Sequence, residues 1–585
     1  MVSIKETFCS FCNQTSLHGW QFLGQHERSS KSPWQVFYWL VAVTISLTLG
    51  ITYMICNIKE YNNAVPITSL DNVTIPLSEI YFPSVAVCNI NQVRQSYFEE
   101  FGSTVSQNFI NQVYYKYIEG KFDNNTTYNN TEVELNILRQ LDEKTKDKGD
   151  DLLSWNTHQN CNDMLLFSTW NGSIWDDAHF DWDTEMDYGI CCYYSPQLNT
   201  SKMVLDEKEN NWGTDDDWGK LYKNMPKGAP MGKENGFSML FDVEIFDYGY
   251  RSEISEGLKM ELVKHYETAM MRQTAFHLSP GTENQIAIKV MQMSTSAGAI
   301  SRFTPEKRNC YTENESILNQ SILSKDDGYL YSLNNCLYEA AIEHIWTVCK
   351  CYPRKFIYAT NHSLADEGLK NCHGEGLNCM NREINYLGVF DSITRLDKKE
   401  KCRPNCEEQV NSMIITSSVY PNGRTFGHRK EFCILCNSIF KKCNSSKRLP
   451  LERMYPGMCT AIRPLFQIGM DLSCNDFDWT VIRNNVLNCT LEKCVVEEMV
   501  ADYARENLIL ANIFMKNPFA TRFLKDEKYG IIDYVAKSGG LLGLAMGFSV
   551  VSFFEIIFYL IRAVTLSVSS PHKKLKVSGS YKFQY

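Results

Sequence analysis

Long apolar runs are scarce in this chain. Its 585 residues hold only two, one near each end, so no more than two membrane crossings are expected. No basic cluster interleaved with aromatics is present, and the net charge is −10; nucleic acid is therefore not an expected partner. There is no H-E-x-x-H, no G-x-S-x-G and no G-x-x-x-x-G-K-[ST], which argues against an ectoenzyme. His265, His277 and His344 stand isolated and read as surface or structural residues. Cys9-x-x-Cys12 has no second ligand pair nearby, so no zinc site is expected there. Internal repeats and low-complexity tracts are absent. The N-terminus also lacks the short basic segment, apolar run and small-residue cleavage site of a signal peptide, so the first apolar run is expected to stay in the mature protein.

The two runs are Trp34 to Ile55 and, roughly, Ser538 to Leu560. Each matches a hydrocarbon core of about 30 Å at a helical rise of about 1.5 Å per residue. Two crossings leave both termini on one side. The tail carries Arg562, Lys573, Lys574, Lys576 and Lys582 without an acid, and the N-terminal flank carries Lys5, Arg28 and Lys31. Excess Lys and Arg marks the cytoplasmic side. The middle of the chain is then outside.

Cysteines agree with that topology. Of 22 in the chain, all but Cys9, Cys12 and Cys56 lie between the runs, as expected of an oxidised, extracellular segment. The nineteen that remain are an odd number, so at least one is free or pairs between chains. Glycosylation sequons begin at Asn72, Asn124, Asn125, Asn129, Asn171, Asn199, Asn314, Asn319, Asn361, Asn444 and Asn488, all on the same side.

Within this segment, Ile80–Ile90 just after the first run and Asn507–Met515 before the second are β-branched and apolar. They are expected as strands, one coupled to each membrane helix and both in one sheet. Residues near 237–243, 258–263, 285–293 and 413–419 read as further strands. Asn108 to Asp217 reads as surface-lying helices and loops. Leu337, Ala340, Ala341, Ile345 and Val348 suit one face of a helix between Cys336 and Cys349.

The second run carries the chemistry. Gly539, Gly543 and Gly547 are spaced four apart, as on a close-packing helix face, and Ser538, Ser549, Ser552 and Glu555 share the segment. A carboxylate inside a span costs roughly 3 kcal/mol, so Glu555 either sits at the inner interface or faces a water-filled path. With the glycine-serine line, the pattern favours a pore: the Gly547 carbonyl and Ser549 hydroxyl would replace part of a cation's hydration shell, and Glu555 would favour cations. One such face cannot enclose an ion path, so an oligomer is implied.

At this point the residues resemble the degenerin and epithelial sodium channel superfamily, pickpocket-like or degenerin-like members above all. His18-Gly19 stands where that family has a cytoplasmic His-Gly pair. Phe82-Pro-Ser-Val-Ala-Val-Cys-Asn89 is similar to its post-helix motif, and Glu506–Phe514 to its last palm strand. Gly547-Phe548-Ser549 resembles its G-x-S filter, with Glu555 following.

The resemblance implies a trimeric membrane α+β fold. Two transmembrane helices would carry a large disulfide-rich ectodomain with a β-sheet palm and a helical finger and thumb. The organisation implied is a cytoplasmic N-terminus (1–33), first helix (34–56), extracellular domain (57–533), second helix (534–562) and cytoplasmic tail (563–585). Pairings implied are Cys310 with Cys406, Cys336 with Cys402, Cys349 with Cys379 and Cys351 with Cys372. Cys88 would bond Cys191 or Cys192, leaving the other for Cys161. Gly547, Phe548 and Ser549 would form the filter, Gly543, Ser552 and Glu555 would line the path, and His18, Gly19 and Ala536 would serve gating.

Three departures bear on function. Phe548 replaces the usual small filter residue. Lys537 stands where acid-sensing channels carry an aspartate. The thumb lacks the tryptophan those channels place before the cysteine matching Cys310. The function implied is a subunit of an amiloride-sensitive, sodium-selective channel in the plasma membrane. An extracellular ligand or force would gate it, it would assemble as a homo- or heterotrimer with related subunits, and it would use no cofactor, sodium being the permeant ion. A non-conducting, regulatory subunit is the alternative.

Overall fold

The computed structural model describes residues 4–24, 33–101, 105–118, 130–148, 156–174, 179–199, 227–251, 254–264, 267–312, 315, 331–351, 372, 375–383, 402–422, 426–467, 474 and 495–568. Two units divide the chain: residues 70–294 with 309–524, and residues 1–69 with 295–308 and 525–585.

In the larger unit the apolar segments form two sheets. The strands used below are β1 (Ser84–Asn89), β2 (Leu165–Trp170), β3 (His179–Glu185), β4 (Ile190–Asn199), β5 (Phe237–Asp242), β6 (Leu258–Val263), β7 (Phe276–Leu278), β8 (Thr282–Thr295), β9 (Glu407–Val419), β10 (Leu508–Met515) and β11 (Phe519–Glu527). One sheet runs β11-β8-β10-β5-β2, with β9 antiparallel on β8, and the other runs β7-β6-β1-β4-β3. β10 lies parallel to β8 from Thr282↔Ile509 to Ile288↔Met515.

Strand alternation explains how the sheets are filled. In β8, Asn284, Ile286, Ile288 and Val290 alternate inward. In β1 every residue is buried, because both faces are covered: Val85 and Val87 enter one core, Ala86 and Cys88 another. β5 and β10 divide their side chains likewise. Phe237, Met239, Phe241, Ile509, Ala511 and Ile513 pack on one side. Leu240 and Leu508 pack on the other, under helices Lys430–Cys443, Met458–Gln467 and Val495–Asn507.

The expected strands all form, but two expectations about them fail. β1 and β10 do not share a sheet; their local composition is alike, and only long-range pairing separates them. The strand that runs into the second apolar segment is β11, not β10, and β11 is mixed in polarity, which hides it from an apolar pattern. The region 108–217 also contributes β2, β3 and β4 besides its helices, and Phe109, Ile110, Val113, Ile137 and Leu141 form a buried core of their own. The thumb helix spans Leu333–Cys349, capped by Ser332 Oγ accepting from the Asn335 N–H at 3.0 Å. Leu337 and Ile345 are buried, whereas Val348, in its last turn, is 45 % exposed.

Among the described residues eight disulfides are formed. Cys310–Cys406, Cys336–Cys402, Cys349–Cys379 and Cys351–Cys372 are the four thumb pairs that the resemblance implies. Cys88 takes Cys191, leaving Cys192 to Cys161. Cys433–Cys474 and Cys443–Cys459 staple the helices at 430–467. Cys436 is unbridged and fully buried; Cys489 and Cys494 lie outside the described residues. Of the sequon asparagines, Asn72, Asn171 and Asn444 are exposed and Asn199 ends β4. Asn124, Asn125, Asn129, Asn314, Asn319, Asn361 and Asn488 lie outside the described residues, as does His265.

The smaller unit is helical: α1 (Ile4–Gln14), α2 (Pro33–Asn63), α3 (Ala297–Arg302), α4 (Ile531–Met546) and α5 (Val550–Val568). α2 is long and apolar enough to cross a bilayer, with little of it buried. Thr44, Thr48 and Thr52 return their hydroxyls to carbonyls three or four residues back, so these three hydroxyls are satisfied within the helix. The second apolar segment departs from the single helix expected over 534–562. α4 and α5 are bent by 70° at a short break, and together they make at most one further span. Gly547 leaves the helix at that break, so only Gly539 and Gly543 share the expected face.

Candidate functional site

The break is built by three residues. Gly547 takes φ +68°, a conformation that favours glycine. Its N–H bonds the Gly543 carbonyl at 2.8 Å, and the Phe548 N–H bonds the Leu542 carbonyl at 3.3 Å, the closing pattern of a helix that ends on glycine. Ser549 starts the next helix. Its Oγ accepts from the Ser552 N–H at 3.3 Å, and Ser552 Oγ accepts from the Ser549 N–H at 3.1 Å, a reciprocal cap. Glycine as a stop and serine as a start thus turn the chain within an apolar segment, taking backbone groups out of the helical ladder.

The N-terminal segment after α1 is docked on this break. The His18 N–H donates to the Met546 carbonyl at 2.9 Å, and a Cβ added at Gly547 would lie 2.8 Å from three atoms of the His18 ring. One turn further along α5, Ser16 Oγ meets Ser552 Oγ at 2.8 Å, and Ser552 is fully buried. The Glu555 carboxylate accepts from Thr15 Oγ1 at 3.0 Å, from the Ser16 N–H at 3.1 Å and from Ser16 Oγ at 3.3 Å. Another turn on, Tyr559 donates to Gln14 and its ring meets Phe11 edge-on at 5.4 Å. Gly19 makes the return possible: its φ is +82°, and a Cβ there would lie 3.0 Å from Val43. Phe22 then stacks on Trp39 at 4.2 Å.

At the other end of α4, Asn57 of α2 donates to Ser538 Oγ at 2.6 Å and accepts from the Tyr529 hydroxyl at 2.6 Å. Between these contacts the helices approach closely at Gly50, where a Cβ would lie 3.5 Å from Met546 and 3.6 Å from Leu542. Lys537 pairs with Glu60 at 2.7 Å, so the cation that replaces an aspartate brings its own counter-charge.

The sequence-selected residues therefore fall into two groups. His18, Gly19, Gly547, Phe548, Ser549, Ser552 and Glu555 are gathered at or beside the break. Ala536 is apart, exposed on α4, and a Cβ added at Gly543 would lie 3.6 Å from the Phe548 carbonyl. Thr15 and Ser16 were missed; lying beside His18-Gly19, they could have been found as hydroxyls available to the one carboxylate of α5. Asn57 was missed because the apolar run was ended at Ile55, although an amide so near a span calls for a partner.

A bent helix pair of this kind, carrying carbonyls, hydroxyls and a carboxylate along one apolar segment beside a long apolar helix, is the equipment of a membrane channel. The profile of the family described as Amiloride-sensitive sodium channel matches residues 11–559. Pickpocket protein 19 of Drosophila melanogaster is 20 % identical over 589 residues, which cover 98 % of this chain and 94 % of that protein. Pickpocket protein 28 of the same species is 20 % identical over 585 residues, 95 % of this chain and 78 % of that protein. The epithelial sodium channel subunit beta-2 of Xenopus laevis is 21 % identical over 267 residues, 44 % of this chain and 34 % of that protein. This chain belongs to the amiloride-sensitive sodium channel family. Members of that family are plasma-membrane sodium or cation channels built from several subunits, not enzymes.

Proposed function

We propose that this chain is a pore-forming subunit of a trimeric, sodium-selective, amiloride-sensitive channel, opened by an extracellular ligand or by force. In this reading α2 and the bent pair α4–α5 are its two crossings, and both termini are cytoplasmic. Gly547, Phe548 and Ser549 form the narrow point, and Gly543, Ser552 and Glu555 line the path around it. The observation that carries the reading is the break itself: glycine and serine interrupt an apolar segment where a continuous helix would be cheaper, and irregular backbone at membrane depth is found where it packs on protein or lines a water-filled path. The Lys537–Glu60 pair supports it, because the outer lysine is compensated. A stimulus would act through its different affinity for closed and open states.

Two-electrode voltage clamp of cells expressing the chain alone tests this. The Ala536→Phe variant should carry a constitutive inward sodium current blocked by amiloride, and replacing Ser549 in that background should alter the sodium-to-potassium ratio. A variant that reaches the surface and stays silent overturns the homomeric pore and leaves the regulatory subunit. An unchanged ratio moves the filter away from Ser549.

A further inference from the structure

We propose that Arg302 is a positioning residue that holds the outer ends of the two membrane helices together. It lies in α3, a short helix started by Ser296, whose Oγ accepts from the Ala299 N–H at 3.1 Å and donates to Asp526. Nothing in the sequence singles Arg302 out, yet its guanidinium reaches four groups on two separate stretches of chain. It stacks on the Tyr61 ring, 3.7 Å from the centroid, and donates to the Tyr61 carbonyl. It also bonds Glu527 at 3.0 Å and the Tyr529 carbonyl.

Each partner matters for position. Tyr61 is in the last turn of α2, where carbonyls lack helical donors and a cation is favoured. Glu527 ends β11, and Tyr529 lies just before α4. The Tyr61 ring also rests on Tyr534 of α4 at 4.9 Å. One planar fork therefore ties the end of the first membrane helix to the approach to the second. The side chain of Arg302 is 14 % exposed and that of Glu527 22 %, so water screens the pair weakly. Lysine cannot replace it: an ammonium has no flat face to stack and cannot place donors on three oxygens in one plane.

The test uses the full-length chain at the cell surface and does not require conduction. Ser538, 7 % exposed and bonded to Asn57, is replaced by cysteine in a Cys56→Ser background, and its modification by a membrane-impermeant maleimide is timed by gel shift. Arg302→Lys and Arg302→Gln should each speed modification at least tenfold. In a Tyr61→Leu background the Arg302→Lys effect should shrink at least threefold, which a role in folding alone would not produce. Should Arg302→Gln fail to reach the surface, Arg302→Lys, which keeps the charge, carries the test. An unchanged rate, or an Arg302→Lys effect as large with Tyr61→Leu as without, overturns the proposal. The positioning role is read here as part of gating, and that clause rests on the channel reading. In the otherwise wild-type chain Arg302→Lys should change the amiloride-blocked basal current at least threefold. Altered labelling with no current from any variant overturns the homomeric pore while the clamp stands.

Discussion

Replacing Gly547 by alanine should release the N-terminal segment from the break. The left-handed backbone at φ +68° costs an alanine roughly 1 kcal/mol more than glycine. The new methyl would also lie 2.8 Å from the His18 ring, closer than carbon contacts allow, so the ring and its backbone must withdraw. Withdrawal breaks the His18 N–H bond to the Met546 carbonyl, worth about 1 kcal/mol. The backbone cost falls on docked and free states alike, so the lost bond sets the shift in the docked-to-free ratio, about 1 kcal/mol or about fivefold. Leu17, 7 % exposed when docked, serves as the reporter after replacement by cysteine, with Cys9 and Cys56 changed to serine. In permeabilised cells its maleimide modification should run about fivefold faster with Gly547→Ala, the chain without the Leu17 cysteine serving as control. With His18→Ala already in place the new methyl meets no ring, and the acceleration by Gly547→Ala should disappear. A Gly547→Ala rate equal to wild type would refute the docked arrangement. An effect of the same size with and without the imidazole would refute the steric argument.

Two further outcomes concern the larger unit. Burial first, and Glu244 second, push the Asp247 carboxyl up to about 7 against the opposing bonds from Ser96, and burial likewise raises Glu261 to about 7 despite bonds from Thr274 and the Met270 N–H. Because the folded pKa exceeds the unfolded one, the native state holds more protons between about pH 4 and 7. Stability is then full below pH 4 and is lost as pH rises through 7, on the order of 3 to 4 kcal/mol for each group. Asp247→Asn should melt above wild type at pH 7.5, with a gap that closes by pH 4 in detergent-solubilised protein; a gap independent of pH would count against a buried neutral carboxyl. The second outcome concerns Lys442. Burial pulls the pKa of its ammonium down, but Asp242 and Glu244 outweigh burial and hold it above its ordinary value. The ammonium touches Asp242, meets Glu244 at 3.2 Å and the Tyr503 hydroxyl at 3.2 Å. Lys442→Met strands Asp242 and should cost about 3–5 kcal/mol in thermal unfolding; a loss under 1 kcal/mol would mean that water reaches the cluster.

Much of this protein is legible in its sequence because the determining physics is local. Apolar runs of membrane length, the strand at Phe237–Asp242, the thumb helix with Ser332 at its start, and a filter-like Gly-Phe-Ser all depend on neighbouring residues and on simple periodicities. Cysteine parity likewise requires a thiol that is free or pairs between chains, although it takes the fold to show Cys436 buried without a bridge. What the sequence leaves undecided depends on residues far apart in the chain. That β1 and β10 belong to different sheets is a matter of long-range pairing, which composition does not encode. Gly547 has the same four-residue spacing whether it continues a helix or ends one; the serines at 549 and 552, and the imidazole seated against its bare α-carbon, decide that it ends one. The partners of Glu555 lie some 540 positions away in the chain, and those of Arg302 more than 220. No window of sequence spans such distances, so the hydroxyls that hold the carboxylate and the guanidinium that joins the helix ends were decided by tertiary structure alone.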